Sequence, residues 1–191
     1  MKKILYINAC CRENSRTNEL AQHLLGCLRG DVESVDLFDE SIVPLDSQFL
    51  SKRDCLLKDG KQDDEMLSLA RQFASAETVV IAAPYWDLMF PSILKVYLEN
   101  ITVCGITFRY SDKGIPQSLC KAKNLYYVTT SGGFIGANNF GYDYIKALAY
   151  GFFGIGNVRF FSAEGLDIYG ADVDGIMQKA KKEISDNDYN F

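Results

Sequence analysis

The first stretch of this 191-residue sequence whose side chains could do chemistry is "NACCRENSRTNEL", residues 8–20. It holds two adjacent cysteines, Cys10 and Cys11, followed by small hydroxyl and amide residues at the start of an apparent helix. Thiols carry redox chemistry or bind metals. Hydroxyls and backbone N–H groups at a helix start bind anions. The sequence therefore offers either a cysteine site or an anion site at the same place.

The cysteine pattern argues against a metal or disulfide site. The chain has six cysteines without a C-x-x-C pair, and His23 is its only histidine. A zinc site needs four thiolate or imidazole ligands at short paired spacings. Adjacent cysteines rarely form a disulfide, because its geometry strains the peptide bond between them. We expect no metal, and we interpret the cysteines as reduced, small apolar residues of a cytoplasmic protein.

Ser15, Arg16 and Thr17 favour the anion site. Free N–H groups and the positive end of the helix dipole attract anions, and these three side chains add two hydroxyls and a positive charge. The stretch has no G-x-G-x-x-G and no G-K-[ST], so dinucleotide or nucleoside triphosphate binding in those modes is not indicated. Ser15 as a simple N-cap would explain the same residues, and this loop alone leaves both interpretations open.

Two later loops also have unusual compositions. "APYWDLMF" (83–90) follows a buried strand and contains the only tryptophan, Trp86. It could form the wall of a site for a flat ring such as isoalloxazine, or a hydrophobic plug beneath a neighbouring helix. "TTSGGFIGANN" (129–139) contains Gly132 and Gly133, which predict a close backbone approach or a positive φ.

Strands and helices that alternate along the chain must position these three loops. The apolar, β-branched segments are typical of buried strands, and the segments with apolar residues at helical spacing are typical of helices. Residues 39–62 are polar and irregular, and we expect a surface loop or a lid there. Strands are predicted at 2–9, 32–38, 77–84, 123–130 and 157–165. Helices are predicted at 15–28, 63–76, from Pro91 onwards, after 139, and at 170–186.

Strands that alternate with helices indicate right-handed βαβ units and a parallel sheet. We predict one α/β domain over residues 1–191, a three-layer sandwich whose five parallel strands have the order 2-1-3-4-5. Ligands of such sheets bind at the carboxyl ends of the strands, where the strand order reverses. The loops 9–17, 84–90 and 130–138 should therefore meet at one edge.

Composition excludes several classes of partner. The formal net charge is −5 and the isoelectric point is about 4.9, which argues against nucleic-acid binding. The 20 Lys and Arg residues are scattered, and no apolar run of membrane length occurs, so we expect no membrane insertion. Met1 leads directly into a strand-like segment without a small-residue cleavage site, which favours a cytoplasmic protein.

Four segments carry a resemblance to a known family: "NSRTNELA" (14–21), 83–110 with its G-[IV]-T-F segment, "TTSGGF" (129–134), and 150–165 with F-x-G-I. Over nearly its whole length the chain resembles the flavodoxin-like NAD(P)H dehydrogenase (quinone) and FMN-dependent NADH-azoreductase family. The resemblance implies a homodimer that binds FMN, with FAD as the alternative, at the dimer interface. It also implies that NADH or NADPH and a small aromatic electron acceptor take turns over one face of the flavin.

The family's functional positions map onto this sequence residue by residue. The resemblance implies three groups of residues, which bind the flavin phosphate, flank the flavin ring, or line the substrate pocket. The phosphate group is Cys10, Ser15, Arg16 and Thr17. The ring group is Pro84, Tyr85, Trp86, Asp87 and Leu88 on one edge and Thr130, Ser131, Gly132 and Gly133 on the other. The substrate group is Phe108 and Phe134.

Three features depart from the family's pattern. Cys10 replaces a serine, and a thiol is the weaker hydrogen-bond donor. Asp87 replaces an asparagine, and a carboxylate cannot donate to a flavin carbonyl. Residues 39–62 have no clear counterpart, so substrate specificity stays open.

The predicted function is two-electron reduction of quinones, azo compounds or related aromatics by NAD(P)H through bound flavin, with the hydride chemistry supplied by the flavin. The alternative is a flavodoxin-type one-electron carrier without a substrate of its own. A phospho-receiver module would need an acidic cluster after the first strand, and "INACC" (7–11) has none. The loops contain no obvious general acid, and water or a tyrosine is left as the proton donor.

Overall fold

A parallel sheet of five strands forms the centre of the protein, seen in a computed structural model that describes residues 2–39 and 41–189. Its spatial order is β2-β1-β3-β6-β7, which confirms the predicted order 2-1-3-4-5 once a separate two-stranded hairpin, β4-β5, is set aside. The sheet strands are β1 (Lys3–Asn8), β2 (Asp31–Asp36), β3 (Thr78–Ala82), β6 (Asn124–Thr130) and β7 (Asn157–Ala163). The hairpin strands are β4 (Phe108–Tyr110) and β5 (Pro116–Ser118).

Burial follows the position of each strand in the sheet. All five residues of β3 are buried, and its side chains alternate between the two cores: Val79 and Ile81 pack in one, Val80 and Ala82 in the other. β2 lies at the edge, and Val35 is its only buried residue. A strand covered on both faces needs apolar residues throughout, whereas an edge strand does not.

Helices cover both faces of the sheet and complete the predicted three layers. α1 and α6 pack on one face, and α3, α4 and α5 pack on the other. A 3₁₀ turn, Glu65–Leu67, precedes α3, and a π-helical turn, Ala149–Phe153, continues α5. The helices are α1 (Arg16–Cys27), α2 (Ser47–Lys58), α3 (Ser68–Ser75), α4 (Ser92–Ile101), α5 (Phe140–Leu148) and α6 (Val173–Ser185).

The prediction that residues 39–62 are irregular is wrong for half of that segment, because α2 occupies Ser47–Lys58. Asp46 caps α2, since its carboxylate accepts from the N–H of Phe49 at 2.7 Å. No residue of α2 is buried, so the helix has no strong apolar stripe for sequence reasoning to detect. The β4-β5 hairpin was not predicted either, because strands of three residues are too short to show a periodic pattern.

Within the described residues, no helix has both the length and the apolar character that crossing a membrane requires.

Candidate functional site

A cavity of about 340 Å³ lies at the carboxyl ends of the central strands. The loops after β1, β3 and β6 meet there, as the strand order predicts, and the loop after β7 joins them. Its lining residues are Cys10, Cys11, Arg12, Asn14, Ser15, Arg16, Thr17, Pro84, Tyr85, Trp86, Thr130, Ser131, Gly132, Leu166 and Asp167.

The N-terminus of α1 supplies the donors of this cavity. Ser15 is the N-cap, and its Oγ accepts from the N–H of Asn18 at 3.2 Å. Its hydroxyl proton is left to point outward, since an N-cap acts as an acceptor. The first N–H groups of a helix have no partner within the helix, and Arg16 adds a cation beside them. The structure therefore confirms Ser15 as an N-cap, and it places the start of α1 at the cavity, as an anion site there would require.

Thr17 connects α1 to the sheet. Its side chain is only 1% exposed, and its Oγ1 lies 2.6 Å from the Oγ1 of Thr130 at the end of β6. Each hydroxyl has one proton, so one of the two donates in this bond and the other keeps its proton for another acceptor. The pair fixes the helix start against the strand end on which the cavity is built.

The surroundings of Cys10 do not favour redox chemistry. Its side chain is buried, its Sγ lies 3.7 Å from the carbonyl oxygen of Ala82, and burial raises the pKa of its thiol to about 11. The thiol is therefore protonated at neutral pH, whereas a nucleophilic cysteine requires the thiolate. Cys11 is exposed at the rim of the cavity.

The loop after β3 makes a tight turn. Trp86 and Met89 exchange two backbone hydrogen bonds of 3.0 and 2.8 Å, and the two residues between them have positive φ, 50° at Asp87 and 67° at Leu88. Two left-handed residues between a bonded pair define a type I′ turn. A leucine in this conformation costs about 1–2 kcal/mol, so the surrounding structure imposes the shape.

The exposure of this loop distinguishes the two interpretations of its aromatic residues. Trp86 is 39% exposed and Leu88 is 46% exposed, and Trp86 lines the cavity with Pro84 and Tyr85. Trp86 and Leu88 are too exposed for a plug beneath a helix, whereas Phe90, at the end of the same loop, is buried and packs against Tyr144 of α5. Asp87 and Leu88 shape the turn without lining the cavity.

The loop after β6 is joined to the loop after β7 by three backbone hydrogen bonds. The N–H groups of residues 165, 166 and 167 donate to the carbonyl groups of residues 133, 131 and 132 at 3.0–3.1 Å. Of the two predicted glycines, Gly132 makes the close approach: a methyl group there would lie 2.4 Å from Oδ2 of Asp167. Gly133 has open space around its Cα, and neither glycine takes a positive φ.

Sequence reasoning missed the residues that β7 brings to the site. Glu164 accepts from the N–H of Ile135 and from the hydroxyl of Ser162, both at 2.9 Å, and so holds the neighbouring loop. Leu166 and Asp167 line the cavity. The rule that ligands meet the carboxyl ends of parallel strands could have found them, because they follow the fifth strand directly.

The two residues predicted to line a substrate pocket lie outside this cavity. Phe108 is buried and packs edge-to-face against Tyr110 and Phe152, with ring centroids 5.4 and 4.8 Å apart. Phe134 is 77% exposed and lies over Gly165. One copy of the chain does not bring these two phenylalanines together with the other predicted residues.

A larger groove of about 730 Å³ lies at the opposite end of the sheet, beside Gly30, Tyr126 and Tyr189. It adjoins the amino ends of the strands, whereas ligands of parallel sheets bind at the carboxyl ends. Among the residues the structure describes, no three His, Cys, Asp or Glu side chains are grouped to hold a metal ion. The cavity at the carboxyl ends is therefore the candidate site.

The sheet order 2-1-3-4-5, with helices on both faces and a cavity at the carboxyl ends of the central strands, defines a flavodoxin-like α/β protein. The chain belongs to the flavodoxin-like family that includes FMN-dependent NADH:quinone oxidoreductases and NADH-azoreductases. A family model described as "Flavodoxin-like fold" matches residues 2–187.

Relatives cover nearly the full chain. The FMN-dependent NADH:quinone oxidoreductase 2 of Clostridium acetobutylicum is 34% identical over 202 residues, which span 97% of this chain and 100% of that protein. The FMN-dependent NADH:quinone oxidoreductase of Lachnoclostridium phytofermentans is 34% identical over 192 residues, 96% of each chain. An FMN-dependent NADH-azoreductase from Bacillus anthracis, solved in complex with FMN, superposes with a TM-score of 0.81 at 26% identity, covering 97% of this chain and 96% of that one.

Proposed function

We propose that this protein is an FMN-dependent oxidoreductase that transfers two electrons from NADH or NADPH to quinones, azo compounds or related small aromatic acceptors. One observation carries the proposal: a helix N-terminus with hydroxyl and guanidinium donors and an aromatic wall meet in one cavity where the strand order reverses. The relatives support the same activity, since they are named for FMN, NADH and quinone or azo reduction. They give no support to the alternative of an electron carrier.

The cavity fits FMN in two parts. The free N–H groups at the start of α1, the Ser15 hydroxyl and the Arg16 guanidinium suit the phosphate. The segments Pro84–Trp86 and Thr130–Gly132 suit the two edges of the ring, because both line the cavity and the first supplies the aromatic surface of Tyr85 and Trp86. When bound, FMN supplies the hydride chemistry, and the protein's part is to bind, orient and exclude water.

The lining residues offer no imidazole for proton transfer, and the Cys10 thiol that lines the cavity is buried. His23 is engaged on α6, with its Nε2 3.0 Å from the carbonyl oxygen of Lys181 and 2.8 Å from the hydroxyl of Ser185. Cys10 keeps its proton at neutral pH, as shown above. The Tyr85 hydroxyl donates to the carbonyl oxygen of Asn138 at 2.8 Å. We therefore assign the product's proton to solvent that enters through the open side of the cavity.

A homodimer is part of the proposal. The β4-β5 hairpin, the start of α5 and the π-helical turn after α5 expose apolar side chains that a second copy would cover, and this would also bring the Phe108 segment toward the partner's cavity. Apolar patches exposed on a protein surface mark association sites. These exposed residues are Tyr110, Ile115, Leu119, Phe140 and Tyr150.

A cytoplasmic location is the last part of the proposal. All six cysteines are free thiols, and unpaired thiols suit a reducing compartment.

Purification under native conditions tests the proposed function. The protein should carry FMN, or take it up on reconstitution, and its visible absorption should bleach on anaerobic addition of NADH or NADPH and return on addition of a quinone. A colourless protein that cannot be reconstituted with either FMN or FAD would refute the proposal. Analytical ultracentrifugation of wild type and Ile115→Asp tests the dimer: wild type should sediment as a dimer and the variant as a monomer.

A further inference from the structure

An ion pair crosses the mouth of the candidate phosphate site. The Arg16 Nη1 lies 3.1 Å from the Asp167 Oδ1, and their side chains are 43% and 73% exposed. The charged residues that line the cavity are Arg12, Arg16 and Asp167. A carboxylate therefore stands beside the guanidinium at a site whose other groups favour an anion.

The backbone of Asp167 is fixed beside the cavity. Its N–H donates to the carbonyl oxygen of Gly132 at 3.0 Å, and the N–H of Leu166 donates to that of Ser131 at 3.1 Å. The Asp167 carboxylate also lies directly against the Cα of Gly132, where a methyl group would be 2.4 Å away. Only rotation of the side chain can move the carboxylate, so it stays within reach of any group bound at the start of α1.

We infer that Asp167 sets the affinity of the site for flavin phosphate by competing with it for Arg16. The inference rests on the proposed function, since it assigns the phosphate of FMN to the start of α1. A phosphate monoester carries a charge of about −1.5 to −2 at pH 7. To reach Arg16 it must displace the carboxylate, and it then remains next to that negative charge. Both effects oppose binding of the phosphate and leave binding of the uncharged ring unchanged.

A purely structural role for the pair predicts a different outcome. Exposed ion pairs contribute little to stability, so replacing Asp167 by asparagine should leave the fold unchanged. An asparagine has the same shape and can donate to a phosphate oxygen, whereas a carboxylate can only accept. If Asp167 served to orient Arg16 toward the phosphate, the same replacement would weaken FMN binding. The two roles therefore differ in the sign of the effect.

The test compares FMN with riboflavin, which has the same ring and no phosphate. Dissociation constants are measured on the flavin-free full-length protein by quenching of flavin fluorescence, at low salt and in 0.5 M KCl. The variants are Asp167→Asn, Arg16→Gln and a matched control, Asp174→Asn, which removes one exposed carboxylate from the first turn of α6. Thermal unfolding of each protein establishes that it is folded.

The expected result is a tightening of FMN binding in Asp167→Asn at low salt by about fivefold, equivalent to about 1 kcal/mol. Riboflavin binding should stay unchanged, and 0.5 M KCl should reduce the gain because it screens exposed charges. Arg16→Gln should weaken FMN binding alone, and Asp174→Asn should match wild type. An Asp167→Asn protein whose preference for FMN over riboflavin is equal to or below that of wild type would overturn the inference. Wild-type protein that binds neither flavin would instead overturn the proposed function.

Discussion

The bond between Thr17 and Thr130 gives a prediction about stability that depends on which hydroxyl is removed. Thr17 is 1% exposed and Thr130 is half-buried, and their hydroxyl oxygens are 2.6 Å apart. Thr17→Val removes the buried hydroxyl and leaves that of Thr130, which water can reach. Thr130→Val does the reverse, and leaves a hydroxyl without a partner in the interior. The second change should therefore be the more costly one.

The magnitudes follow from the burial of the group left behind. A hydrogen bond whose remaining partner meets water is worth about 1 kcal/mol, so Thr17→Val should cost about that much. A buried hydroxyl without a partner costs about 1–3 kcal/mol, so Thr130→Val should cost about 2 kcal/mol. The double variant leaves neither hydroxyl behind, and it should cost about 1 kcal/mol rather than the sum of about 3 kcal/mol.

Urea unfolding of the flavin-free protein, followed by far-ultraviolet circular dichroism, measures these differences. The dependence of the unfolding free energy on urea should be equal in all four proteins, which shows that the same surface is exposed on unfolding. A loss of about 1 kcal/mol should also lower the melting temperature by about 2–4 °C in a chain of this length. Additive effects in the double variant, or a greater cost for Thr17→Val, would refute this reasoning.

Three further predictions concern single groups. Iodoacetamide at pH 7.5 should modify Cys11 and spare Cys10, because burial raises the pKa of the Cys10 thiol to about 11. Mass spectrometry locates the label. Labelling of Cys10 as fast as that of Cys11 would contradict the structure. A hydrogen bond from Lys3, and to a lesser extent one from Gln72, lowers the pKa of Glu33 below 4.5. The Glu33 carboxylate therefore contributes its full stabilisation above pH 4.5 and loses it as the pH falls through the lowered pKa. Glu33→Gln should thus be less stable than wild type at pH 7 in urea unfolding, with a gap that closes toward pH 3 and not toward pH 9. The unfolding free energy of Leu88→Gly should exceed that of Leu88→Val by about 1–2 kcal/mol, since a β-branched residue fits a φ of 67° poorly. Equal urea midpoints for the two variants would argue against a left-handed residue at this position.

The sequence predicted those parts of the fold that depend on long, periodic segments. The apolar run of β3 and the Leu20 and Leu24 stripe of α1 are visible because burial on a sheet requires them. α2 was missed because it buries none of its residues, so the chain carries no apolar periodicity there. A helix that lies on the surface and is fixed by a cap leaves a weak trace in the sequence.

The candidate site, too, could be predicted only in part. The loops after β1, β3 and β6 could be placed together because strand order alone dictates which carboxyl ends meet. The role of Asp167 could not be read from the sequence, since its pair with Arg16 joins residues 151 positions apart. Whether Gly132 takes a positive φ or allows a close approach also could not be read from the sequence, because the close approach is to the side chain of Asp167, far along the chain.

The three hydrogen bonds between the loops after β6 and β7 have a consequence for motion. The N–H groups of residues 165–167 bond to the carbonyl groups of residues 131–133 directly after the paired ends of β6 and β7, so three consecutive residues fix this side of the cavity next to the sheet. The turn at Trp86 and Met89 closes with two hydrogen bonds of its own, and Tyr85 makes two more, from its N–H to Thr130 and from its hydroxyl to the carbonyl oxygen of Asn138. The cavity thus has one wall that is bonded to the neighbouring loop at three consecutive residues, and one that is held partly by bonds within its own turn. Amide hydrogen exchange should be slow in the first wall and fast in the second, and a bulky acceptor would be accommodated by movement of the aromatic turn.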